Sequence, residues 1–300
     1  KAVYPSSVVM NVVPAQVARV PRIAVSSPAQ ENGLPSPSVM ATCALLGIDE
    51  VYGIGGASAI AAFAYGVTEI NLEPVAMVTG PGNIFVAAAK RQLRGVIGID
   101  SEAGPTEILI VADESANPRF IAADLISQAE HDQNAAAVLV TDSASLIEQV
   151  EAELLVQVGL AKNRDRIEAS LGGIQSALVL VTDMSAAMAV ANEYATEHLE
   201  IQTANSEELA NQVRHAGAVF VGAYSPVSLG DYLAGSNHVL PTGQQAKFSS
   251  GLSVFTFLRT QQRVTYSADA LASVTDRLRV FSEAEKLSAH GRAGSIRLEE

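Results

Sequence analysis

The sequence predicts an α/β protein built on parallel sheets, with a small helical element at its C-terminal end. Short apolar runs alternate with helix-like segments along most of its length. The connections are short, so each strand is followed by a helix covering a sheet face rather than by a hairpin partner. After Ser250 the alternation stops and a more helical tail remains.

The elements follow in order. Strand-like residues 23–26 precede a helical segment over 36–46, and strand 51–54 precedes helix 57–65. Strand 75–78 leads into helix 83–93. A connection over 95–106 containing glycine, aspartate and proline interrupts the series and marks an expected domain boundary. The pattern resumes with strand 108–111, helix 119–131, strand 136–141, helix 144–158 and strand 177–181. Helices 185–194 and 207–215 bracket strand 199–202, strand 218–221 closes the series, and the tail reads as helical over 268–289.

Composition excludes several classes. Hydrophobic residues make up 48% and charged residues 17% of the 300 positions, which fits a globular core and not a disordered chain. A net charge of −13 argues against a nucleic-acid partner, which calls for clustered Lys and Arg. The single cysteine, Cys43, rules out an intrachain disulfide or a Cys-rich zinc knuckle, and a reducing cytoplasm is the expected setting. No run approaches the roughly 18 consecutive apolar residues of a membrane span, so no membrane partner is expected. The first residues lack the layout of a signal peptide, and 1–10 reads as the middle of a domain.

The most informative stretch is 230–242, where Asp231, Asn237, His238 and two glycines make a segment too broken for a regular helix or strand. Loops on a rigid scaffold aim such side chains at ligands. Asp231 offers an oxygen ligand and His238 a ligand or a hydrogen-bond partner; a helix-capping aspartate and a turn histidine are the plainer alternative. Gln128 and His131 fall three apart on the helix expected over 119–131, hence on one face, and an amide oxygen with a neutral imidazole suits zinc. Solvated helix surface is the usual reading of such a pair. Of only five histidines, however, four lie in or beside these polar segments. His290 ends the expected last helix, and its plainer role is to meet the helix dipole.

Glu197-His198 sits at a helix-to-strand junction and offers two acid–base groups, against the plainer reading of an exposed Glu and a packed His. Two glycine-rich turns invite a nucleotide. Gly53-Ile54-Gly55-Gly56-Ala57-Ser58 follows a strand and opens a helix, though Ser58 stands at the third glycine position of a dinucleotide fingerprint. Thr79-Gly80-Pro81-Gly82-Asn83 makes a second such turn; both also read as tight strand-to-helix connections. Lys90-Arg91, further along that helix, reads as solvated surface.

Taken together and in order, 79–83 with 87–92, 103–107, 127–131, 192–199, 230–242 and 284–290 resemble histidinol dehydrogenase over nearly the whole chain. The resemblance implies oxidation of L-histidinol to L-histidine through L-histidinal, the last step of histidine biosynthesis. It implies NAD and one zinc ion per site. The zinc ligands would be Gln128, His131, Asp231 and His290, which replaces the plainer reading of His290. Glu197 would activate water and His198 would accept protons. Thr106, where the family usually has serine, would contact substrate with Glu285 and His238. Asn83 would contact NAD, as would Ser58, where the family commonly has glutamine.

The resemblance also implies two Rossmann-like domains and a small tail. Residues 1–105 would form most of the cofactor-side domain and 106–250 an incomplete second domain with the zinc and substrate site. Residues 251–300 would form a C-terminal domain reaching into the partner of a homodimer with shared active sites. The family's chains carry a further stretch ahead of Lys1, with a Pro-Gly-Gly segment flanking a cofactor-contacting tyrosine. Two other readings stand beside this one. A related dehydrogenase could act on another small polar alcohol such as a sulfonated diol, against which the Glu285 carboxylate counts. An inactive zinc-binding fragment would keep the ligands without turnover.

Overall fold

The computed structural model describes residues 3–102 and 104–299, and the chain divides into two compact units that meet in sequence between Leu258 and Arg259. The first unit is α/β with parallel sheets, as the alternation implied.

It opens with α1 (Pro5–Val17), whose Val8, Val12 and Ala15 are buried one turn apart. They pack with Val39 and Cys43 of α2 (Pro37–Leu45) and with Ile48. Nothing in the sequence reading anticipated α1, because Tyr4 caps it with no side-chain bond and its valine run reads as extended. Two short parallel pairs follow. β1 (Val25–Ser26) joins β2 (Val51–Tyr52), and β3 (Met77–Val78) joins β4 (Gly98–Ile99). Helix α3 (Ala57–Tyr65) follows β2 and α4 (Ile84–Leu93) follows β3, sharing a core of Ile60, Phe63, Leu72, Val78 and Ile97.

Residues 107–221 hold a five-stranded parallel sheet. Its strands are β5 (Glu107–Ala112), β6 (Ala136–Thr141), β7 (Ala177–Leu180), β8 (His198–Gln202) and β9 (Ala218–Val221), in the order β7-β6-β5-β8-β9. The chain thus winds outward from β5 in one direction and then returns to its other side, the doubly wound arrangement. Alternate residues of β5 feed two cores, as strand geometry requires. Ile108, Ile110 and Ala112 meet α5 (Pro118–Ala129) and α6 (Ala144–Leu160), through Ile121, Leu125, Leu146 and Val150. Leu109 and Val111 meet α8 (Met184–Tyr194) through Ala187, Met188 and Ala191, with Leu209 of α9 (Ser206–Ala210). A further helix, α7 (Arg164–Leu171), precedes β7, and α10 (Val227–Tyr232) follows β9.

Several expected boundaries move. The helix expected over 119–131 ends at Ala129, so His131 lies in the closing turn and shares no helical face with Gln128. The helix expected over 207–215 stops after Ala210. Gly230, Asp231 and Tyr232 are helical, in α10, and only the remainder of 230–242 is irregular.

In the second unit the helical tail is two helices, α11 (Ala268–Ala284) and α12 (Ser288–Ser295), broken where Lys286 adopts φ +59°. Glu285 caps α11 and His290 lies early in α12, both exposed; His290 therefore does not meet a helix C-terminus. Among the described residues no helix is long and apolar enough to cross a membrane.

The packing makes β5 the centre of the first unit. Leu109→Ala, at a position with 0% exposure, is expected to cost roughly 2–5 kcal/mol in chemical denaturation. Leu155→Ala on α6, where 81% is exposed, is expected to stay within about 0.5 kcal/mol. Equal losses at both would remove β5 from that role.

Candidate active site

The polar residues of interest gather at the amino-terminal edge of the five-stranded sheet, where β5 and β8 lie side by side with Ile108 opposite His198. Ligands of doubly wound sheets usually lie at the carboxyl ends, so this edge is a departure from that rule.

Glu107, first residue of β5, holds both acid–base groups with its main chain. Its N–H donates to Glu197 Oε2 at 3.0 Å, and its carbonyl faces His198 Nδ1 at 3.1 Å. A carbonyl only accepts, so Nδ1 carries the proton and Nε2 keeps its lone pair. That Nε2 is buried without a partner. Thr106 adds a second donor to Glu197 Oε2 through its hydroxyl, at 2.5 Å, and accepts from Gln128 Nε2 at 2.6 Å. The Thr106 proton is therefore committed to the carboxylate, and the Gln128 amide oxygen is directed away from that bond.

Glu197 and His198 are 7% and 5% exposed, against the plainer expectation of a solvated glutamate. Burial disfavours the charged form of each and so moves them in opposite directions. Glu197 is pushed up to about 7, by desolvation first. The hydrogen bonds from Thr106 and Glu107 and the His131 charge pull it down, while Asp231 adds to the rise. His198 is pushed down to about 4 by desolvation, against the opposing pull of Asp231 and the Glu107 carbonyl. His238 is lowered by burial too, and its Nε2 is also buried and unpartnered.

Helix α8 ends at Ala195, a buried left-handed residue (φ +52°), and the chain turns at once into Thr196, Glu197 and β8. A left-handed alanine is uncommon and places the strain beside the acid–base pair. The loop after α10 closes over the same edge. Gly243 N–H donates to Glu107 Oε1 at 2.8 Å and Gly104 N–H to Thr242 Oγ1 at 2.5 Å. Asn237 Nδ2 reaches the Met10 carbonyl of α1 at 2.7 Å.

The structure joins Thr106, Gln128 and Glu197 by direct bonds and holds His198 beside them through the Glu107 carbonyl, while His131 and Asp231 act electrostatically on Glu197, His198 and His238. Glu285 and His290 belong to the second unit. Among the described residues no three His, Cys, Asp or Glu side chains converge on a point where a cation would sit. The candidate donors include only two of that kind in the first unit, His131 and Asp231, beside the Gln128 amide. Such an O/N set, next to two buried unpartnered imidazole nitrogens, matches zinc in chemistry. An open cleft of about 360 Å³ lies beside His131, lined also by Tyr4, Glu130, Asn163, Arg166 and Tyr232.

Both glycine-rich turns sit where a nucleotide would use them, after strands and before helices, though β2 and β3 belong to different pairs. Gly56 precedes α3, and no side chain caps the first turn of that helix, in which Ser58 lies. Asn83, an exposed residue, caps α4, accepting from the Phe85 and Val86 amides at 3.0 and 3.2 Å. A Cβ at Gly82 would stand 2.4 Å from Val86, so the turn is bare there by necessity.

Sequence reasoning missed Glu107 as a functional residue. It acts through its main-chain N–H and C=O, and no side-chain pattern reports that. Lys90 was misread: it is 2% exposed and paired with Asp100, not solvated.

Comparison with known proteins gives the family. The family model described as histidinol dehydrogenase matches residues 1–298. The histidinol dehydrogenase of Thermobifida fusca is 62% identical over 300 residues, which span 99% of this chain and 68% of that protein. That of Leifsonia xyli subsp. xyli is 58% identical over 302 residues, covering 100% and 69%. The crystal structure of histidinol dehydrogenase from Elizabethkingia anophelis superposes with a TM-score of 0.94 at 34% identity, covering 99% of this chain and 68% of that one.

The Thr106 bond favours the ionised form of Glu197, so Thr106→Val should raise the Glu197 titration midpoint while Thr106→Ser keeps it. Carboxyl carbon shifts followed by NMR against pH would show this. A midpoint unchanged or lowered in the valine variant would refute the bond's role.

Proposed function

We propose, for a chain that belongs to the histidinol dehydrogenase family, the zinc- and NAD-dependent four-electron oxidation of L-histidinol to L-histidine through L-histidinal. The observation that carries it is the buried Glu197–His198 pair, held by the Glu107 main chain and moved by burial in opposite directions, so that His198 is a neutral base and Glu197 ionises near pH 7.

The family's relatives are dehydrogenases by name, and NAD-dependent oxidation needs a proton acceptor beside the carbinol. His198 Nε2, neutral and desolvated, takes the hydroxyl proton in each oxidation. Glu197, ionised above about pH 7, takes a proton from the water that adds to the aldehyde. Thr106 and the Glu107 amide keep that carboxylate in place. The buried edge protects the reactive aldehyde from bulk water. The turns at 53–58 and 79–83, with Ser58 and Asn83, would hold NAD, which would supply the hydride acceptor. Gln128, His131, Asp231 and His290 would hold zinc, which would supply a positive centre to orient a substrate carrying an amine and an imidazole. His238 and Glu285 complete the substrate contacts. His290 and Glu285 come from the C-terminal unit of a second copy, so the working form is a homodimer with shared sites.

NADH formation from L-histidinol, zinc and NAD tests the reading, on the 300-residue chain and on a version extended ahead of Lys1; silence from both would sink it. His198→Asn is expected to lower turnover roughly 10²–10⁴-fold with substrate binding nearly kept. Turnover at the parent level would take His198 out of the chemistry. In single-turnover oxidation of L-histidinal, the rate should climb as pH rises through about 7 and fall below it, because the raised pKa of Glu197 leaves it protonated there. Glu197→Gln should be slow and flat over the same range, with the alcohol step less affected. A parent profile that falls with rising pH would contradict this base. Finally, mixing His290→Ala with Gln128→Ala subunits should restore activity that neither variant has alone, and failure of every mixture would argue against shared sites.

A further inference from the structure

The turn between β3 and α4 is held by a buried ion pair that no function has yet absorbed. Lys90 Nζ on α4 donates to Asp100 Oδ1 at 2.6 Å and to the Gly80 carbonyl at 2.5 Å. Asp100, immediately after β4, accepts from the Gly80 N–H through Oδ2 at 2.7 Å. Both side chains are almost fully buried, at 3% and 4% exposure. One ion pair thus occupies the N–H and the C=O of a single glycine, whose φ of +116° other residues rarely adopt.

Burying two charges costs several kcal/mol per ion before pairing, and an apolar pair of similar volume often packs as well or better. Retaining the ions here therefore calls for a role beyond cohesion. The local geometry supplies one. Gly80 is three residues ahead of the exposed Asn83, which caps α4, and two ahead of the bare Gly82. Fixing the Gly80 peptide fixes the direction in which the turn leaves β3, and hence where the start of α4 points. Across the turn, the Asn11 side chain of α1 comes within 3.5 Å of where a Gly80 Cβ would stand, and its Oδ1 is buried without a partner. The turn is thus fixed on one side by charge and flanked on the other by an unused acceptor.

We propose that Lys90 and Asp100 are positioning residues for the nicotinamide cofactor, clamping the Gly80 peptide so that residues 80–83 and the first turn of α4 present a preformed surface to it. The inference rests on the cofactor assignment above and deepens it. Neither residue touches the cofactor; both act through Gly80.

The experiment uses Lys90→Met, Asp100→Asn and the double variant, which removes the unpaired charge that each single change leaves buried. Three quantities are read on each: NAD dissociation constant by calorimetry, L-histidinol dissociation constant with zinc present, and hydrogen exchange of the Gly80 amide without cofactor. The expected result is NAD binding weakened about tenfold or more, unchanged L-histidinol binding, and faster Gly80 exchange. In turnover, KM for NAD should rise with kcat less affected, a split that general loss of fold would not give. If the single variants do not fold, the double variant decides. A folded double variant that binds NAD as the parent does overturns the proposal while leaving the cofactor assignment standing. A parent that binds L-histidinol but no NAD overturns both. Equal weakening for NAD and L-histidinol also overturns it, since the pair would then serve the fold alone.

Discussion

The site depends on the main chain of one residue. Glu107 begins the central strand, and its N–H and C=O reach across to Glu197 and His198 at the start of the neighbouring strand. The two bonds exist because β5 and β8 pair in parallel with Ile108 opposite His198. A slip of one residue would turn every β8 side chain to the other face. The apolar residues Leu199 and Ile201 forbid it, being fully buried against α8 and α9. Hydrophobic packing on one side of the sheet therefore sets the register, and the register sets the acid–base geometry at its edge.

Burial then differentiates the two groups. The same removal from water raises a carboxyl and lowers an imidazole, so adjacent residues reach about 7 and about 4 without any charge chosen for each. His131 and Asp231 modulate both from nearby, with opposite signs. The result is a base that is neutral and desolvated beside a carboxyl that ionises near neutrality. Asymmetry in hydrogen bonding keeps them distinct: Glu197 has two donors, while His198 spends only the nitrogen that is not needed for chemistry.

Much of the fold was legible because parallel strands buried on both faces read as apolar runs, and β5, β6, β8 and β9 were found nearly to the residue. The two turns at 53–58 and 79–83 were placed correctly between strand and helix for the same reason. What escaped was what depends on partners distant in sequence. Lys90 looks like helix surface until Asp100 comes up beneath it from β4. Gln128 and His131 have helical spacing, yet α5 ends between them because the chain must turn toward β6. Residues 230–232 were read as irregular because the glycine at 230 masks a helix of one and a half turns, whose first amide is held by Glu200 Oε1 at 3.0 Å across the sheet. Glu107 had no signature, since a main-chain role leaves none. Of the side chains nominated from the resemblance, Thr106, Gln128, Glu197 and His198 make direct hydrogen bonds at the sheet edge.

The bond from His198 Nδ1 to the Glu107 carbonyl has a consequence in time as well as in space. A ring flip would put the Cδ2–H where Nδ1–H now stands and leave that carbonyl buried without a donor, a loss of about 1–3 kcal/mol. The imidazole therefore makes no rotational search before each proton transfer. Its rotamer freedom, worth on the order of 1 kcal/mol, is surrendered once, when β8 docks on β5 as the chain folds. Every later catalytic cycle begins from a ring already aligned.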